Sequence, residues 1–371
     1  MSNIIQTDKI SKLGFGFMRL PKKGDGFDME QINRMTDAYL ESGGNYFDTA
    51  FVYSGSEEAM RESLIKRHPR EKYMVATKLN LRYADGPDKL EEQFKTSMQR
   101  LGTDYIDFYL LHNMNSKMSR KAEEWGAWDF LLDLKRKGLA KHVGFSFHGQ
   151  VCDLDEILQN HPEVDFVQLQ INYIDWVSPK HDSRGVYEVA RAHGKPIVVM
   201  EPVKGGLLAS ENSPIAKFLR SENPSASLAS WALRFCAELP GVFTTLSGMS
   251  EMAHVTDNIA TFKDLQPLSA AERTAIDKAV EIFKSVPLVE CTGCNYCENC
   301  PAKIMIPELL DIYNNYLVYN TKDKIEPIYR LFSSSWGAPV SACVSCGVCE
   351  TACPQQLEIT DSLKKLSALF D

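Results

Sequence analysis

The chain has 371 residues, of which 44% are hydrophobic, and a formal net charge of −8 at pH 7. A chain of that length can bury one large core of about 250 residues and carry a smaller module as well. The negative charge argues against a surface for nucleic acid or for an anionic membrane. The N-terminal residues lack the apolar core of a secretory signal, and no apolar stretch has the length of a membrane span. We therefore expect a cytoplasmic protein that binds neither nucleic acid nor membrane.

Short apolar or β-branched segments alternate with longer helical patterns between about Gly14 and Ser247. The predicted strands, eight in all, are Gly14–Met18, Tyr46–Thr49, Tyr73–Lys78, Ile106–Leu111, His142–Ser146, Phe166–Gln170, Ile197–Glu201 and Val242–Ser247. The predicted helices are Met29–Ser42, Ser56–Arg67, Asp88–Leu101, Trp128–Lys137, Leu154–Asn160, Gly185–Ala192, Ser225–Ala237 and Ser250–Ala260. This repeated order predicts a closed (β/α)8 TIM barrel of class α/β, with an open doubly wound sheet as the alternative.

Polar side chains stand repeatedly at or just past the carboxyl ends of the predicted strands, which is where a barrel of this kind assembles its site. They are Asp48, Lys78, His112, Ser146, Gln168, Gln170, Glu201 and Ser247. Their positions favour the barrel over the open sheet.

A predicted helix at Ser269–Lys284 follows the barrel, and Val286–Pro287 marks a boundary. We therefore predict two domains, residues 1–286 and residues 287–371. Within the second, helical patterns at Pro307–Leu317 and Lys324–Leu331 precede a turn-rich stretch at Ser333–Pro339. The second domain is predicted to be small and mainly helical, with these helices inserted between two cysteine runs.

Eight of the 10 cysteines lie in those runs, CTGCNYCENCP and CVSCGVCETACP. Two-residue gaps place three thiolates on one turn around one 4Fe-4S cluster, and the fourth thiolate, followed by proline, binds the other cluster. One predicted cluster is therefore held by Cys291, Cys294, Cys297 and Cys353, and the other by Cys343, Cys346, Cys349 and Cys300. The first run has only two residues before its last cysteine, which weakens the case for crossed ligation. Zinc or a disulfide framework is the alternative to the clusters.

Four residues have the chemistry of an acid catalyst: Asp48, Lys78 and His112 at the strand ends, and Tyr53 five residues after Asp48. A phenol has a pKa near 10, so it is a poor acid at neutral pH. We expect an adjacent ammonium to lower the pKa of Tyr53, and a carboxylate to hold that ammonium in place. An imidazole beside the phenol could orient a carbonyl oxygen.

Through FDTAFVYSGSE, ATK, LLHN and GMSEMAHVTDNI, the chain resembles the aldo-keto reductase superfamily over roughly residues 10 to 262. With its cysteine runs, it is similar to the branch that carries a C-terminal ferredoxin-like module. The resemblance implies that Asp48, Tyr53, Lys78 and His112 form the catalytic tetrad, with Tyr53 as general acid. It also implies NADP or NAD bound in an extended pose across the barrel mouth, and a small carbonyl substrate.

The resemblance implies a set of cofactor contacts as well: Ser146 and Gln168 on the nicotinamide carboxamide, Asp257 and Asn258 near the adenine, and Ser247, Gly248 and Met200 at the ends of strands eight and seven. Met200 stands where the family has a stacking tyrosine, and Phe147 where asparagine is frequent. The basic residues that commonly bind the 2′-phosphate of NADP in this family align near Gly248 and His254. The sequence therefore does not favour NADP over NAD.

Two further groups could meet a phosphate. Lys204 and Gly205, after the seventh strand, could bind a pyrophosphate through backbone N–H groups and one cation, although a flexible loop is as good an interpretation. Arg19, just past the first strand, could contact a phosphate or an acidic group of the substrate.

The joining of a hydride site to iron-sulfur clusters leaves the function open between three classes. Nicotinamide carries two electrons, whereas each cluster normally exchanges one, and a flavin would connect the two chemistries. The favoured function is carbonyl reduction with auxiliary clusters. The alternative is an electron-transfer reductase, with or without flavin, served by a ferredoxin- or flavodoxin-type partner. A redox-responsive binding protein is disfavoured by the complete tetrad, and the sequence does not indicate the oligomeric state.

Overall fold

The computed structural model describes residues 5–179, 181–291 and 293–371. Its central feature is a closed barrel of eight parallel strands, in which each strand pairs with its neighbour in the chain and the last pairs with the first. The barrel strands, in order, are Leu13–Gly16, Tyr46–Asp48, Met74–Leu79, Ile106–Met114, Ala140–Phe147, Phe166–Gln170, Ile197–Met200 and Val242–Ser247. The predicted (β/α)8 fold is therefore confirmed over the open doubly wound sheet. A two-stranded antiparallel hairpin, Lys22–Lys23 with Gly26–Phe27, lies outside the barrel.

Helices follow the barrel strands and continue to the C-terminus. The α-helices are Met29–Glu41, Ser56–Met60, Asp88–Leu101, Ser116–Glu124, Ala127–Arg136, Val151–Asn160, Ser183–Ala192, Pro214–Glu222, Leu228–Ala237, Met252–Lys263, Ala270–Ser285, Ile306–Tyr319, Lys322–Arg330, Val348–Ala352 and Ile359–Phe370. Among the described residues, none of these helices combines the length and the hydropathy needed to cross a membrane.

The inside of the barrel is filled by an aromatic layer centred on Phe108. The ring centroid of Phe108 lies 5.0 Å from that of Tyr46, 5.2 Å from that of Phe166 and 6.0 Å from that of Phe243. Alternate residues of a strand point to the same face, so the next inward positions belong to Asp48, two residues after Tyr46, and to Gln168, two residues after Phe166. The layer thus forms the floor on which the polar residues of the mouth stand.

Contacts divide the described chain into two compact units. The first holds residues 5–177, 181–202 and 232–268, and it contains all the barrel strands. The second holds residues 178–179, 203–231, 269–291 and 293–371, and it contains both cysteine runs. The predicted domain boundary near residue 286 stays a prediction, because the second unit draws on an earlier segment of the chain as well.

The second unit has an apolar core of its own, built on the helix Ile306–Tyr319. Leu309, Leu310 and Ile312 of that helix are buried, as are Leu363 and Leu366 of the C-terminal helix. The helix Ala270–Ser285 also belongs to this unit, and it begins with a capping box formed by the side chains of Ser269 and Glu272. Residues of the helices Ile306–Tyr319 and Ile359–Phe370 lie beside the cysteine runs.

Candidate functional site

A buried ion pair joins the ends of the second and third barrel strands. Lys78 Nζ donates to Asp48 Oδ1 at 2.7 Å, to Asp48 Oδ2 at 2.8 Å and to the backbone oxygen of Thr49 at 2.7 Å. Lys78 is fully buried and Asp48 is 4% exposed. Burial raises the pKa of Asp48 and lowers that of Lys78, while the charge of each partner opposes that shift in the other. Three acceptors fix the ammonium, so it is a rigid element of the site.

Tyr53 is held above this pair by a compact loop between the second strand and the following helix. Its backbone N–H donates to the oxygen of Ala50 at 3.0 Å, and its own oxygen accepts from the N–H of Ser56 at 2.9 Å. The hydroxyl of Ser56 shares a 2.6 Å hydrogen bond with that of Thr49, which ties the end of the loop to its beginning. The partly buried Tyr53 ring consequently stays over the strand ends.

The predicted tetrad comes together at the barrel mouth. Lys78 Nζ lies 5.2 Å from the centroid of the Tyr53 ring. The imidazole of His112, on the fourth strand, meets that ring edge-on, with centroids 5.8 Å apart and planes at 85°. Asp48 joins this cluster through its hydrogen bonds with Lys78. The structure therefore places carboxylate, ammonium, phenol and imidazole in one cluster, as the sequence indicated.

The electrostatics of Tyr53 differ from the expectation that Lys78 would lower its pKa. Burial raises the pKa of Tyr53, the negative charges of Asp48 and Glu201 raise it further, and Arg19 partly opposes them. The ammonium of Lys78 is neutralised at short range by both oxygens of Asp48, so its field at the phenol is weak. The phenol is protonated throughout the neutral range.

His112 is held in its neutral form. Burial is the first cause, followed by the positive charge of Lys78, and together they keep its pKa well below the ordinary value. Asn80 Nδ2 lies 3.4 Å from His112 Nδ1, and the other amide atom of Asn80, Oδ1, accepts from the backbone N–H of Arg82 at 2.8 Å. The amide orientation set by Arg82 thus turns a donor toward Nδ1. Sequence reasoning missed Asn80, although its place two residues after Lys78 puts it on the same face of the chain.

Two residues predicted at the nicotinamide lie side by side on the fifth and sixth strands, where Ser146 pairs with Gln168. Ser146 Oγ accepts from the backbone N–H of Asn113 at 2.9 Å. Gln168 Nε2 lies 3.5 Å from the sulfur of Met200. Gln168 is 3% exposed, and its Oε1 atom has no hydrogen-bond partner among the described residues. A buried acceptor left open at the mouth fits a ligand that donates an N–H, as a carboxamide does.

Asn258, predicted near the adenine, is linked by a hydrogen bond to Ser247 at the end of the last barrel strand. Asn258 Nδ2 donates to Ser247 Oγ at 2.9 Å, and both side chains are buried. Asp257 is partly buried one position earlier on the helix Met252–Lys263. Gly248 borders Arg19, because a Cβ added to it would lie 3.9 Å from the Nη1 atom of that arginine. These groups belong to the same unit as the tetrad.

Arg19 and Glu201 form a long ion pair, with Arg19 Nη1 and Glu201 Oε1 3.4 Å apart. Both side chains remain about a third exposed, at 39% and 31%. Glu201 has a positive φ of 55°, a conformation that a residue with a side chain rarely adopts. The sequence marks Glu201 as a strand-end residue where the family often has serine, but its charge effect on Tyr53 was not predicted.

Lys204 and Gly205 belong to the second compact unit, whereas the other predicted cofactor residues belong to the first. Lys204 is 9% exposed. The backbone is left-handed at three successive residues, with φ of 50° at Lys204, 65° at Gly205 and 94° at Gly206. Successive N–H groups in such a turn can form an anion-binding concavity, so the predicted pyrophosphate contact stays a prediction.

The cysteine runs surround two cavities, both in the second unit. The first cavity is lined by Cys291, Cys294, Cys297 and Cys353, and the second by Cys300, Cys343, Cys346 and Cys349. Each cavity thus collects three thiols of one run and the last thiol of the other. Burial, with the neighbouring thiols Cys291, Cys294 and Cys349, raises the pKa of Cys297 to about 11. Four converging thiols match the ligand set of a 4Fe-4S cluster, which must displace their protons to bind.

Known proteins resemble the chain in two separate segments. Residues 12–281 match the model of the aldo/keto reductase family, and residues 290–357 match that of the 4Fe-4S dicluster domain. The second match favours iron-sulfur clusters over zinc or a disulfide framework. The chain is 30% identical to an aldo-keto reductase of Strobilurus tenacellus over 213 residues, 54% of this chain and 61% of that protein. The chain therefore spans about three fifths of the length of that relative.

Solved structures of similar proteins share the barrel. An aldo-keto reductase of Bacillus halodurans, in its holo form, gives a TM-score of 0.58 at 26% identity, over 73% of this chain and 92% of that one. An aldo-keto reductase of Klebsiella pneumoniae, solved in complex with NADPH, gives a TM-score of 0.61 at 20% identity, over 72% of this chain and 90% of that one. The latter likeness shows the fold alone.

Proposed function

Because the chain belongs to the aldo/keto reductase family and is an oxidoreductase with a 4Fe-4S dicluster domain, we propose that it reduces a small aldehyde or ketone at the barrel mouth. The observation that carries this proposal is the meeting of Tyr53 with His112 and with the buried Lys78–Asp48 pair. A proton donor and a neutral hydrogen-bond donor at one mouth suit a reaction in which negative charge develops on an oxygen.

Each side chain of the tetrad has one role in the proposed reaction. The carbonyl oxygen accepts hydrogen bonds from Tyr53 Oη and from His112. Asn80 donates to His112 Nδ1, so the single hydrogen of the neutral imidazole lies on Nε2 and can point to the substrate. Tyr53 gives its proton from Oη to the carbonyl oxygen as carbon is reduced. Lys78, held by Asp48, forms the fixed ion pair beside the Tyr53 ring, and water later restores the proton to Oη.

The proposed electron source at the mouth is NADPH or NADH. The open acceptor Gln168 Oε1 and the neighbouring Ser146 would hold the carboxamide, and Met200 would pack against the ring in place of an aromatic residue. Ser247, Gly248, Asp257 and Asn258, which belong to the same unit as the tetrad, are proposed contacts for the adenosine end. The bound cofactor supplies a hydride to the carbonyl carbon, which balances the proton from Tyr53.

Two 4Fe-4S clusters are proposed in the cysteine cavities, with crossed ligation. The lining of the cavities supports it, since Cys353 lies with the first run and Cys300 with the second. The missing residue before Cys300, which weakened this prediction in the sequence, does not prevent the thiol from reaching the second cavity. In this account the clusters are auxiliary to carbonyl reduction.

An electron-transfer reductase is the second candidate. It is favoured by exposed thiols at both cavities, Cys294 at the first and Cys346 at the second, because a ligand at the surface shortens the path to an external donor. The replacement of an aromatic stacking residue by Met200 also fits a site that binds nicotinamide weakly. In this alternative the substrate still binds beside Tyr53, and a flavin would connect the one-electron and two-electron steps.

Replacement of Tyr53 by phenylalanine tests the proposed acid. Tyr53→Phe removes only the hydroxyl, and loss of a positioned proton donor typically slows turnover by about 10²- to 10⁴-fold. We expect NADPH-dependent reduction of a short aldehyde to fall by that amount, measured as kcat, with little change in thermal stability.

The matched control is Tyr83→Phe, since Tyr83 is 60% exposed and lies outside the tetrad. It should keep the activity of the parent protein. Full carbonyl turnover by Tyr53→Phe would show that another group supplies the proton.

A further inference from the structure

Exposed apolar side chains concentrate in the cysteine runs. Tyr296 is 65% exposed, Val344 72% and Val348 48%, although most large apolar residues of the described chain are buried. Tyr296 is also a lining residue of the first cysteine cavity, and the neighbouring thiol of Cys294 is exposed. Tyrosine is enriched at the surfaces where proteins meet, and this exposed ring lines the same cavity as a predicted cluster ligand.

The chain segments that contain the cysteine runs carry acidic residues but no basic ones. Residues 290–300 and 343–358 contain Glu290, Glu298, Glu350 and Glu358 but neither lysine nor arginine. Glu290, Glu298 and Glu358 are exposed, and each is next in the chain to a residue that lines the first cavity: Cys291, Cys297 and Leu357. We call Glu290, Cys294, Tyr296, Glu298 and Glu358 the Tyr296 face.

We propose that the Tyr296 face is the docking surface for a one-electron carrier protein whose contact patch is apolar at its centre and lysine- or arginine-rich at its rim. Charge complementarity selects this partner, because opposite potentials guide the encounter and orient the two proteins. A second copy of the chain would bring the same carboxylates against each other across a two-fold contact, so self-association is disfavoured. This inference rests on the proposed cluster sites and not on the carbonyl chemistry.

The electron balance of the docked complex is simple. One electron leaves the redox centre of the partner, which is oxidised by one unit, and enters the cluster held by the first-cavity thiolates, which is reduced by one unit. No proton or bond changes place. The exposed sulfur of Cys294 lies on the proposed path.

The test uses the full holoprotein and cytochrome c, a lysine-rich one-electron carrier, as probe. Binding of oxidised cytochrome c is measured at ionic strengths of about 10 mM and about 150 mM, where screening lengths are about 30 Å and about 8 Å. The rate at which the dithionite-reduced protein reduces cytochrome c is measured under the same conditions. Iron content and visible absorption verify that each variant retains its clusters.

We expect binding to weaken strongly with salt, and the double variant E290Q/E298Q to weaken it by about fivefold to tenfold at low salt. Tyr296→Ala should weaken binding at both ionic strengths, because it removes the apolar centre. The matched control D277N/E281Q removes two exposed charges from the helix Ala270–Ser285 of the same unit, so it leaves the net charge equal to that of E290Q/E298Q. Its binding should stay within about twofold of the parent.

Three results would overturn the inference: equal weakening by the control pair, binding that is independent of salt or undetectable, or tighter binding of an acidic flavodoxin than of cytochrome c. NADPH-dependent aldehyde turnover is measured in the same preparations. If the parent protein shows no such turnover but still binds cytochrome c in a salt-dependent way, the carbonyl function is contradicted and the docking surface is supported.

Discussion

At the scale of single residues, the proposed proton donor, Tyr53, is the group whose environment differs most from expectation. The carboxylate of Asp48 and the backbone oxygen of Thr49 accept all three hydrogen bonds of the Lys78 ammonium. Lys78 therefore does little to favour a phenolate at Tyr53. Burial and the charge of Glu201 then raise the pKa of Tyr53. The sequence indicated these four side chains because three of them stand near the ends of consecutive strands, Tyr53 follows Asp48 by five residues, and the family resemblance groups them. It could not predict the direction in which the pKa of Tyr53 shifts, because that depends on the distance between Lys78 and Asp48.

A change at Glu201 tests this electrostatic account. The carboxylate disfavours the phenolate and raises the pKa of Tyr53, so Glu201→Gln should lower that pKa, and the positive charge of Arg19 acts in the same direction once it is unopposed. Only the protonated phenol donates. The alkaline fall of kcat/KM for carbonyl reduction should therefore begin above about pH 10 in the parent protein and at lower pH in the variant.

The pH profile has a matched control in Glu188→Gln, which removes an exposed carboxylate on the helix Ser183–Ala192. It should leave the alkaline limb in place. If the alkaline fall of kcat/KM in Glu201→Gln begins at the same pH as in the parent protein, or at a higher pH, Glu201 does not raise the pKa of Tyr53.

At the scale of elements, the strands were predicted more closely than the helices. Phe166–Gln170 and Val242–Ser247 begin and end as predicted, since Asp165 precedes the first and glycines flank the second. The predicted helix Ser56–Arg67 divides into an α-helical part, Ser56–Met60, and a π-helical part, Arg61–Ile65. Helices Ser116–Glu124, Pro214–Glu222 and Ile359–Phe370 were not predicted. The first of these is strongly polar, so its sequence resembles that of a loop.

The two cysteine runs form a linked pair of elements, and this linkage can be tested. If Cys353 serves the cluster of the first cavity, then Cys353→Ala should give the same altered EPR spectrum of the reduced protein as Cys294→Ala, and a different one from Cys346→Ala. Each variant should lose about four of about eight iron atoms per chain.

The control for this series is Cys152→Ser, an exposed cysteine outside both runs, which should keep the full iron content. A spectrum of Cys353→Ala that matches Cys346→Ala would mean that each run binds its own cluster. Spacing alone could not decide this point, because the first run lacks one residue of the usual pattern.

At the scale of the whole molecule, two chemistries occupy one chain. The barrel carries the four side chains of the proposed tetrad, and the second unit carries eight thiols around two cavities. The sequence predicted both parts, because strand-end polarity and cysteine spacing are local signals. The sequence did not predict that residues 203–231 belong to the same compact unit as the cysteine runs, since that depends on contacts between distant segments.

The central claim is that nicotinamide-dependent carbonyl reduction proceeds at the barrel without the clusters. The direct measurement is an anaerobic titration of the holoprotein with NADPH and then NADH, in the presence of a short aldehyde, while nicotinamide and cluster absorption are followed together. We expect nicotinamide to be consumed in equal amount to the alcohol formed, with cluster absorption unchanged although dithionite bleaches it. Bleaching of the clusters by either nucleotide, or no consumption of nicotinamide, would contradict the claim and favour the electron-transfer reductase.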